Sequence, residues 1–365
     1  MSNHGIGIIG CGGRVRGLAE LLKKQHPKVE FVAFSDPRAE SVEDTRKALN
    51  AGDAKEYSDY HELLTDERVK WIMIGSWNCL HREQAVAALD AGKHVFCEKP
   101  LATTIEDCLA IRDAHKRNPD RKFIVGFTLR YSPHYRKIKE LLEAGVVGKV
   151  ISMEFNETLH FCHGGYIMGD WRRLTEYAGT HLLEKCCHDI DLVNWMLGDR
   201  TSRVASFGGL DVFTPENVGF MDRVGPDENG KPAYQTWPGT VNLNPFTADK
   251  DILDNQVAII EYAKGTRATF HTNCSAAIPE RRMYICGTEG AIRADVISGT
   301  IEYQRIGFGE ELQTADTGAS GGHGGGDTIL VDSMADCMFN DAKPLTGIDD
   351  GIASSFTVFA IDEAE

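Results

Sequence analysis

Three glycines near the N-terminus have the spacing of a turn that binds phosphate. Gly10, Gly12 and Gly13 lie between the apolar run 5–9 and a helical pattern from 15 to 24. Gly10 permits a tight turn, and Gly12 has no side chain to keep the backbone away from a pyrophosphate at the positive end of the following helix. The turn therefore predicts a site for a dinucleotide, although a nucleotide-free α/β sheet with a glycine turn would show the same letters.

An acidic residue at the end of the next apolar run strengthens this interpretation. Asp36 follows the predicted strand 31–34. A carboxylate there can accept both ribose hydroxyls of an adenosine and would repel a 2′-phosphate, which favours NAD over NADP. Arg38, two residues further on, could accommodate that phosphate, so NADP remains the alternative.

A charged turn follows another predicted strand. The stretch "CEKPLATT" places Glu98, Lys99 and Pro100 directly after the run 94–97. Charged residues and proline are typical of solvated turns. The tripeptide alone therefore does not indicate a site.

Histidines and cysteines in "HFCHGG" and "EKCCH" raise the question of a metal centre. The residues of ligand type are His160, Cys162, His163, Cys186, Cys187 and His188. Neither stretch has the paired C-x-x-C spacing of a structural zinc site, so the ligands would have to meet across the fold. We predict no metal site.

The elements that would position these residues change character along the chain. Up to about residue 127, short apolar runs alternate with helical patterns, which predicts a doubly wound parallel sheet. Beyond it, one helix leads into strand-like stretches with helices between them, which favours an α+β domain with a mostly antiparallel sheet. We predict domains at 1–127 and 128–365. The segments 212–250 and 314–327 are predicted loops, and the glycines of the second are interpreted as a mobile loop, not a phosphate site.

Composition excludes several classes of partner. The chain has 365 residues, 42% hydrophobic and 25% charged, and a formal net charge of -15, which disfavours nucleic acid and anionic membranes. Its ten cysteines lack the dense spacing of a disulfide scaffold. The N-terminus lacks the pattern of a signal peptide, and no apolar run is long enough for a membrane helix. We expect a cytoplasmic protein.

The ordered set of motifs resembles a known family. The stretches are "GCGGRVRG", "SD", "SWNCLH", "GKHVFCEKPLA", "GFTLRYSP" and "EKCCHDIDLVNWMLG", and together they resemble the glucose-fructose oxidoreductase and inositol dehydrogenase family, Gfo/Idh/MocA. The resemblance implies an N-terminal Rossmann domain and a C-terminal α/β domain whose large open sheet often serves oligomerisation. It also implies NAD(P)-dependent chemistry on a sugar or polyol, and a homo-oligomer, either a dimer or a tetramer.

The resemblance also implies the central catalytic residues. Lys99 matches a lysine beside the nicotinamide and the reacting carbinol, where an ammonium can stabilise a developing alkoxide. Glu98 matches a residue on the cofactor side, and Pro100 shapes the turn. His188 matches the family's histidine and is the candidate base. Glu184, four residues earlier, replaces the usual aspartate with a side chain one methylene longer.

Further residues are implied by position in the same motifs. The predicted cofactor-binding residues are Gly10, Gly12, Gly13, Arg14, Asp36, Ser76, Trp77, Asn78, His81, Glu98, Trp171 and Arg172. The predicted substrate-binding residues are Arg130, Tyr131, His160, His163, Lys185 and Asp191. Alternatives remain for several of them: Trp77 as a core residue, Lys185 as a salt-bridged lysine, and Asp191 as a residue that orients His188.

Three functions fit these residues. The first is an NAD-dependent dehydrogenase that oxidises a secondary alcohol of a sugar, cyclic polyol or glycoside. The second is a glycoside-cleaving enzyme that oxidises a sugar hydroxyl transiently and restores it with the same NAD, with no net redox change. The third is a non-enzymatic dinucleotide sensor, which would need neither Lys99 nor His188.

Overall fold

The computed structural model describes residues 4–237, 239–318 and 322–365. The described chain forms two compact units. The first runs to Ser132 and includes Gly325–Ser355, and the second comprises Pro133–Gly324 and Phe356–Glu365. The two predicted loops, 212–250 and 314–327, each include residues outside the described part of the chain, namely 238 and 319–321.

The first unit alternates strands and helices. Its elements up to Ser132 are β1 (Gly5–Ile9), α1 (Gly13–Gln25), β2 (Glu30–Ser35), α2 (Ala39–Ala48), β3 (Lys55–Glu56), α3 (Tyr60–Thr65), β4 (Val69–Ile74), α4 (His81–Asp90), β5 (His94–Cys97), α5 (Ile105–Arg117) and β6 (Phe123–Val125). The six strands form one sheet in the order β3-β2-β1-β4-β5-β6, and every neighbouring pair is parallel. This confirms the predicted doubly wound parallel sheet.

The turn after β1 requires glycine. Gly10 has φ +80, and a Cβ atom there would lie 2.4 Å from the backbone nitrogen of Ser76, which follows β4. An L side chain would be strained in this conformation and would collide with the neighbouring backbone. Helix α1, which follows the turn, packs through Val15, Leu18 and Leu22 at helical spacing.

The second unit contains a larger sheet. Its elements are α6 (Pro133–Glu143), β7 (Val150–His160), α7 (Phe161–Gly169), α8 (Thr175–Ala178), α9 (Cys187–Leu197), β8 (Thr201–Gly209), α10 (Phe220–Val224), β9 (Asn255–Tyr262), β10 (Arg267–Ala276), β11 (Arg282–Gly287), β12 (Gly290–Asp295), β13 (Thr300–Arg305) and β14 (Gln313–Thr314). The sheet order is β14-β13-β12-β11-β7-β10-β9-β8. Only β7 and β10 pair in parallel, so the predicted mostly antiparallel sheet is confirmed.

Helix α7 forms where the sequence contains two adjacent glycines. A Cβ atom on Gly164 would lie 1.7 Å from the carbonyl oxygen of Cys274, and one on Gly165 would lie 1.9 Å from that of Tyr234. The glycines weaken the helix intrinsically but let its backbone touch β10 and the segment that follows β8. The low helix propensity of the two glycines makes α7 hard to predict from the sequence, and close packing of its backbone explains why it forms.

The segment between β8 and β9 has a core of its own. Phe213, Tyr234 and Phe246 are buried, and their ring centroids lie 5.0 to 5.8 Å apart. The fully buried Asp254 accepts hydrogen bonds from the backbone N–H groups of residues 211, 212 and 213 at 3.0, 2.7 and 2.9 Å. The predicted loop 212–250 is therefore largely a packed substructure.

Two helices complete the described chain, α11 (Gly326–Phe339) and α12 (Ile348–Glu363). Leu330, Val331 and Met334 of α11 pack in the hydrophobic core of the first unit. For this reason Gly325–Ser355 groups with the first unit, whereas the predicted boundaries assigned it to the second. No helix in the described ranges has the length and apolar character needed to traverse a lipid bilayer.

Replacing Asp254 tests how the 212–250 segment is anchored. We expect Asp254→Ala to lower the free energy of unfolding by about 2–4 kcal/mol, because three backbone N–H groups lose a charged acceptor. Urea denaturation followed by circular dichroism measures the change. The control is Asp316→Ala, an exposed position, which should stay within about 0.5 kcal/mol of the wild type. Equal stability of the two variants would contradict the anchoring role.

Candidate active site

The predicted cofactor residues of the first unit gather at the carboxyl edge of its sheet. Parallel strands end on the same side, so the turns after β1, β2, β4 and β5 are neighbours. Gly10 N donates to Ser35 O at 2.9 Å, and Glu98 N donates to Ile74 O at 3.0 Å. The segment Ser76, Trp77 and Asn78 follows β4 at this edge. The order of strands reverses between β1 and β4, which is where such sheets bind ligands.

The turn after β1 fits a dinucleotide. Gly12 caps α1 without a side-chain hydrogen bond, and the first turn of the helix, which starts at Gly13, contains no acidic residue. The N–H groups of this end are therefore free of a side-chain cap that would compete with a phosphate. Asp36 is oriented by two backbone donors, Cys11 N and Arg38 N, each at 2.8 Å. Burial and the Asp36 charge raise the pKa of the Cys11 thiol to about 12.

Arg14 is held by two carboxylates of the first unit. Its guanidinium lies 3.0 Å from Glu98 Oε1 and 2.8 Å from Asp327 Oδ1, and it donates to Thr128 Oγ1 at 2.8 Å. Burial opposes the charge, but the two carboxylates outweigh it and raise the pKa of Arg14. Asp327 lies in the segment that the sequence analysis treated as a loop. The structure thus gives Arg14 a role in fixing Glu98.

The turn that carries Lys99 is fixed by backbone contacts. The Lys99–Pro100 peptide is cis, and Lys99 N donates to Glu98 Oε2 at 3.3 Å. His81 is fully buried, with Nδ1 2.8 Å from Pro100 O and Nε2 3.3 Å from Ser76 O. Burial lowers the pKa of this imidazole. The His81 ring thus lies between the Lys99 turn and the turn after β4, and its predicted place on the nicotinamide side stays a prediction.

Two predicted substrate residues are buried within the first unit. Arg130 forms an ion pair with Asp350 at 2.9 Å, and the Tyr131 hydroxyl lies 3.2 Å from Thr346 Oγ1. Tyr131 belongs to the hydrophobic core. Both side chains are buried, and their predicted substrate contacts stay a prediction.

The helix predicted to carry Glu184 and His188 is in two parts. Residues Leu182–Cys186 form a π-helical turn, and α9 begins at Cys187. Such turns occur mostly as single insertions in α-helices, frequently at functional sites. Both side chains are buried, as is Asp191 one turn further along α9. Glu184 therefore lies in the π-helical turn and His188 in the α-helix, a difference that the sequence did not predict.

Arg172 connects Glu184 to an aromatic group. Its Nε donates to Glu184 Oε1 at 3.1 Å. The guanidinium carbon lies 4.4 Å from the ring centroid of Trp171 and 4.9 Å from that of Tyr166. Trp171 and Arg172, predicted to bind the cofactor, thus lie in the second unit beside one member of the candidate catalytic pair.

A buried charge network lies next to His188 in the chain. Arg281 contacts Asp189 through two hydrogen bonds of 2.8 and 2.7 Å and Glu157 at 3.0 Å. Lys185 pairs with Glu157 at 3.3 Å, as the salt-bridge alternative anticipated. Burial raises the pKa of both carboxyls, and the Arg281 charge lowers it. Lys185 lowers the pKa of Glu157 further, to below its ordinary value. The negative charge of Glu157 raises the pKa of Asp189, which lies above its ordinary value. Sequence reasoning missed Glu157, Asp189 and Arg281.

The same network includes potential metal ligands. Atoms of Glu157, Cys186 and Asp189 lie within 4.8 Å of one another. The Arg281 guanidinium already contacts both carboxylates, and burial raises the pKa of the Cys186 thiol well above its usual range. The arrangement is that of an ion-pair network in which the cation is an arginine.

Two more histidines have distinct positions in the second unit. His160 caps α7 by accepting from Cys162 N at 3.2 Å, and it is exposed. His163 is partly buried and stacks on Trp237, with ring centroids 4.2 Å apart. His323, in the glycine-rich run, has its ring centroid 5.9 Å from that of His188. Neither His323 nor Trp237 is among the residues predicted from the sequence.

The strand order and the glycine turn define a dinucleotide-binding Rossmann unit. The family profile described as an oxidoreductase family with an NAD-binding Rossmann fold matches residues 4–127, and that of the GFO/IDH/MocA C-terminal domain matches residues 135–293. The chain belongs to the Gfo/Idh/MocA oxidoreductase family, which confirms the resemblance found in its motifs.

Individual relatives and solved structures agree with this assignment. A candidate oxidoreductase, YteT of Bacillus subtilis, is 25% identical over 90% of this chain and 88% of its own. Inositol 2-dehydrogenase of Salmonella typhimurium is 34% identical over 199 residues, 53% of each chain, so the match spans about half the length of that relative. Levoglucosan dehydrogenase in complex with NADH and levoglucosan has a similar fold, with TM-score 0.81 and 19% identity over 100% of this chain and 97% of that one.

Adjacent arginines test the buried network. Arg281→Ala should lower the free energy of unfolding by about 3–5 kcal/mol, because Asp189 and Glu157 lose the cation that compensates their burial. Arg282→Ala, one residue away, removes ion pairs with Glu280 and Glu154 at partly exposed positions and should cost about 1 kcal/mol or less. Chemical denaturation of both variants measures the difference. A small effect at Arg281 would contradict the network.

Proposed function

We propose that the protein is an NAD-dependent dehydrogenase that oxidises a secondary alcohol of a sugar, cyclic polyol or glycoside. The position of Lys99 supports this most directly: it follows β5 at the carboxyl edge of an NAD-binding sheet, in a turn fixed by Glu98 and His81. A dehydrogenase needs a hydrogen-bond donor for the reacting oxygen close to the cofactor site. Family membership and the dehydrogenases among the relatives support the same reaction class.

Each candidate catalytic residue has a defined chemical task in this proposal. A bound NAD supplies the acceptor for the hydride of the carbinol carbon. The Lys99 ammonium donates a hydrogen bond to the reacting oxygen and stabilises the negative charge that develops on it. The His188 imidazole removes the hydroxyl proton. Lys99 belongs to the first unit and His188 to the second, so their convergence on one carbon remains a prediction.

Glu184 has a less direct task. Its carboxylate pairs with Arg172, and it lies in the π-helical turn that precedes His188. We infer that it contributes to positioning the substrate or His188.

The orientation of Asp36 supports NAD as the preferred cofactor. Both of its oxygens already accept backbone N–H bonds, which holds the carboxylate beside the end of β2. A fixed negative charge there favours ribose hydroxyls and disfavours a 2′-phosphate. Arg38 remains the residue that would bind such a phosphate.

We also propose a homo-oligomer in the cytoplasm. All ten cysteines are free thiols, which suits a reducing compartment. Apolar side chains are exposed on the large sheet, among them Phe207 on β8 and Val257 and Ile259 on β9. Contiguous exposed apolar residues are typical of protein interfaces. Association of copies through this sheet would bury them.

Substitution of Lys99 tests the proposed chemistry. Lys99→Met keeps the aliphatic stem but removes the donor, and it should lower kcat by about 10²–10⁴-fold with little change in NAD affinity. The assay follows absorbance of reduced cofactor with NAD and a panel containing myo-inositol, levoglucosan and common hexoses, and calorimetry measures NAD binding. Lys116→Ala, an exposed lysine on α5, is the control and should retain activity. Tight NAD binding with no turnover of any panel member by the wild type would contradict the proposal.

A second substitution tests cofactor preference. Asp36→Asn removes the negative charge and keeps one of the two oxygens that accept backbone N–H bonds. It should raise the affinity for NADP relative to NAD about tenfold or more, because the repulsion of the 2′-phosphate disappears. Titration of each cofactor by calorimetry gives the ratio, with the exposed Asp53→Ala as the control. An unchanged ratio would show that Asp36 does not discriminate between the two.

A further inference from the structure

Trp237 is an exposed aromatic residue next to buried polar groups. It is 44% exposed, whereas the other four tryptophans are buried or partly buried. Its ring stacks on His163, with centroids 4.2 Å apart and an interplanar angle of 22°. Leaving an indole exposed forgoes the free energy of burying a large apolar surface, so its position needs an explanation other than packing.

The surroundings of Trp237 lead to the candidate catalytic helix. The Tyr166 ring lies 6.0 Å from that of Trp237 and 4.9 Å from the Arg172 guanidinium carbon. Arg172 in turn contacts Glu184 at 3.1 Å. Tyr166 and Arg172 thus connect Trp237 to Glu184 by successive contacts within the second unit.

The chain on both sides of Trp237 is anchored. Tyr234 is buried and packs against Phe161, with ring centroids 5.1 Å apart. Asp170 accepts hydrogen bonds from the backbone N–H groups of Thr240 and Val241, the latter at 3.1 Å. Tyr234 and the pair Thr240 and Val241 are thus each held by contacts within the second unit.

His163 covers one face of the indole with an uncharged ring. Burial, with a contribution from the Lys185 charge, lowers the pKa of His163 to about 3, so the ring is neutral at physiological pH. Because the imidazole stacks on one face of Trp237, a ligand has the opposite face of the indole to stack on. An apolar aromatic face of this kind is suited to an uncharged ligand that is apolar on its own faces.

The geometry points to an aromatic subsite in which the indole face of Trp237 turned away from His163, with the Tyr166 ring beside it, binds the C–H face of a pyranose ring. This inference rests on the proposed function and narrows its substrate class. A pyranose has flat C–H faces with hydroxyls around its rim, whereas an acyclic polyol has no fixed face to stack. The subsite therefore selects cyclic sugars and glycosides over linear polyols.

The test measures sugar binding and turnover separately. Binding of methyl β-D-glucopyranoside and of sorbitol to the full-length protein with saturating NAD is measured by ligand-observed NMR, and turnover is measured with the alcohol panel. The variants are Trp237→Ala, Trp237→Phe, which keeps an aromatic face, and Phe308→Ala, a matched loss of an exposed ring elsewhere in the second unit. Calorimetric titration with NAD shows whether the first unit of each variant is folded and binds NAD as in the wild type.

The inference predicts a definite pattern. Trp237→Ala should weaken glucoside binding about tenfold, Trp237→Phe about threefold or less, and Phe308→Ala not at all, with NAD affinity unchanged throughout. Equal glucoside affinity in Trp237→Ala and the wild type, or wild-type binding of sorbitol as tight as that of the glucoside, would overturn the subsite. Glucoside binding that depends on Trp237 without any turnover by the wild type would support the subsite and reject the dehydrogenase.

Discussion

The pairing of buried charges in the second unit determines where α9, the helix that contains His188, can lie. Arg281 precedes β11, Asp189 belongs to α9 and Glu157 belongs to β7, so one guanidinium joins two strands and a helix. Charges removed from water are tolerated only while their partners stay in place. Any shift of α9 along the sheet would separate Asp189 from Arg281. His188 is the residue before Asp189 in the same helix, so the ion pair of Asp189 also restrains its backbone.

The first unit positions its candidate residues by another means, through backbone geometry at one edge of a sheet. Gly10 fits between two turns because it has no Cβ atom, and Asp36 is oriented by N–H groups. His81 joins the turn after β4 to the turn after β5 through two carbonyl groups. Parallel strands bring these turns together regardless of their separation in the chain. The charged side chains described there are paired, as in the contact of Arg14 with two carboxylates.

The difference between the units explains what the sequence could predict. Glycine spacing, the acidic residue after β2 and apolar runs are local patterns. They predicted the parallel sheet correctly, and the cofactor-binding role of its turns stays a prediction. The sequence did not predict β12 to β14. Strands β12 and β13 are as long as β11 but contain only one or two large apolar side chains each, and β14 has two residues. Arg281 and Asp189 are 92 positions apart, and no local pattern records such a pairing. The stacking of Trp237 on His163 depends in the same way on the path of a long connection.

The packed segment between β8 and β9 has a consequence for how relatives of this chain can diverge. Its aromatic cluster and its Asp254 anchor hold the core of the segment together. Substitutions of exposed residues in the segment can therefore change its surface while that core and the large sheet stay intact. Evolution can in this way alter the surface of the segment one substitution at a time without disturbing the candidate catalytic residues.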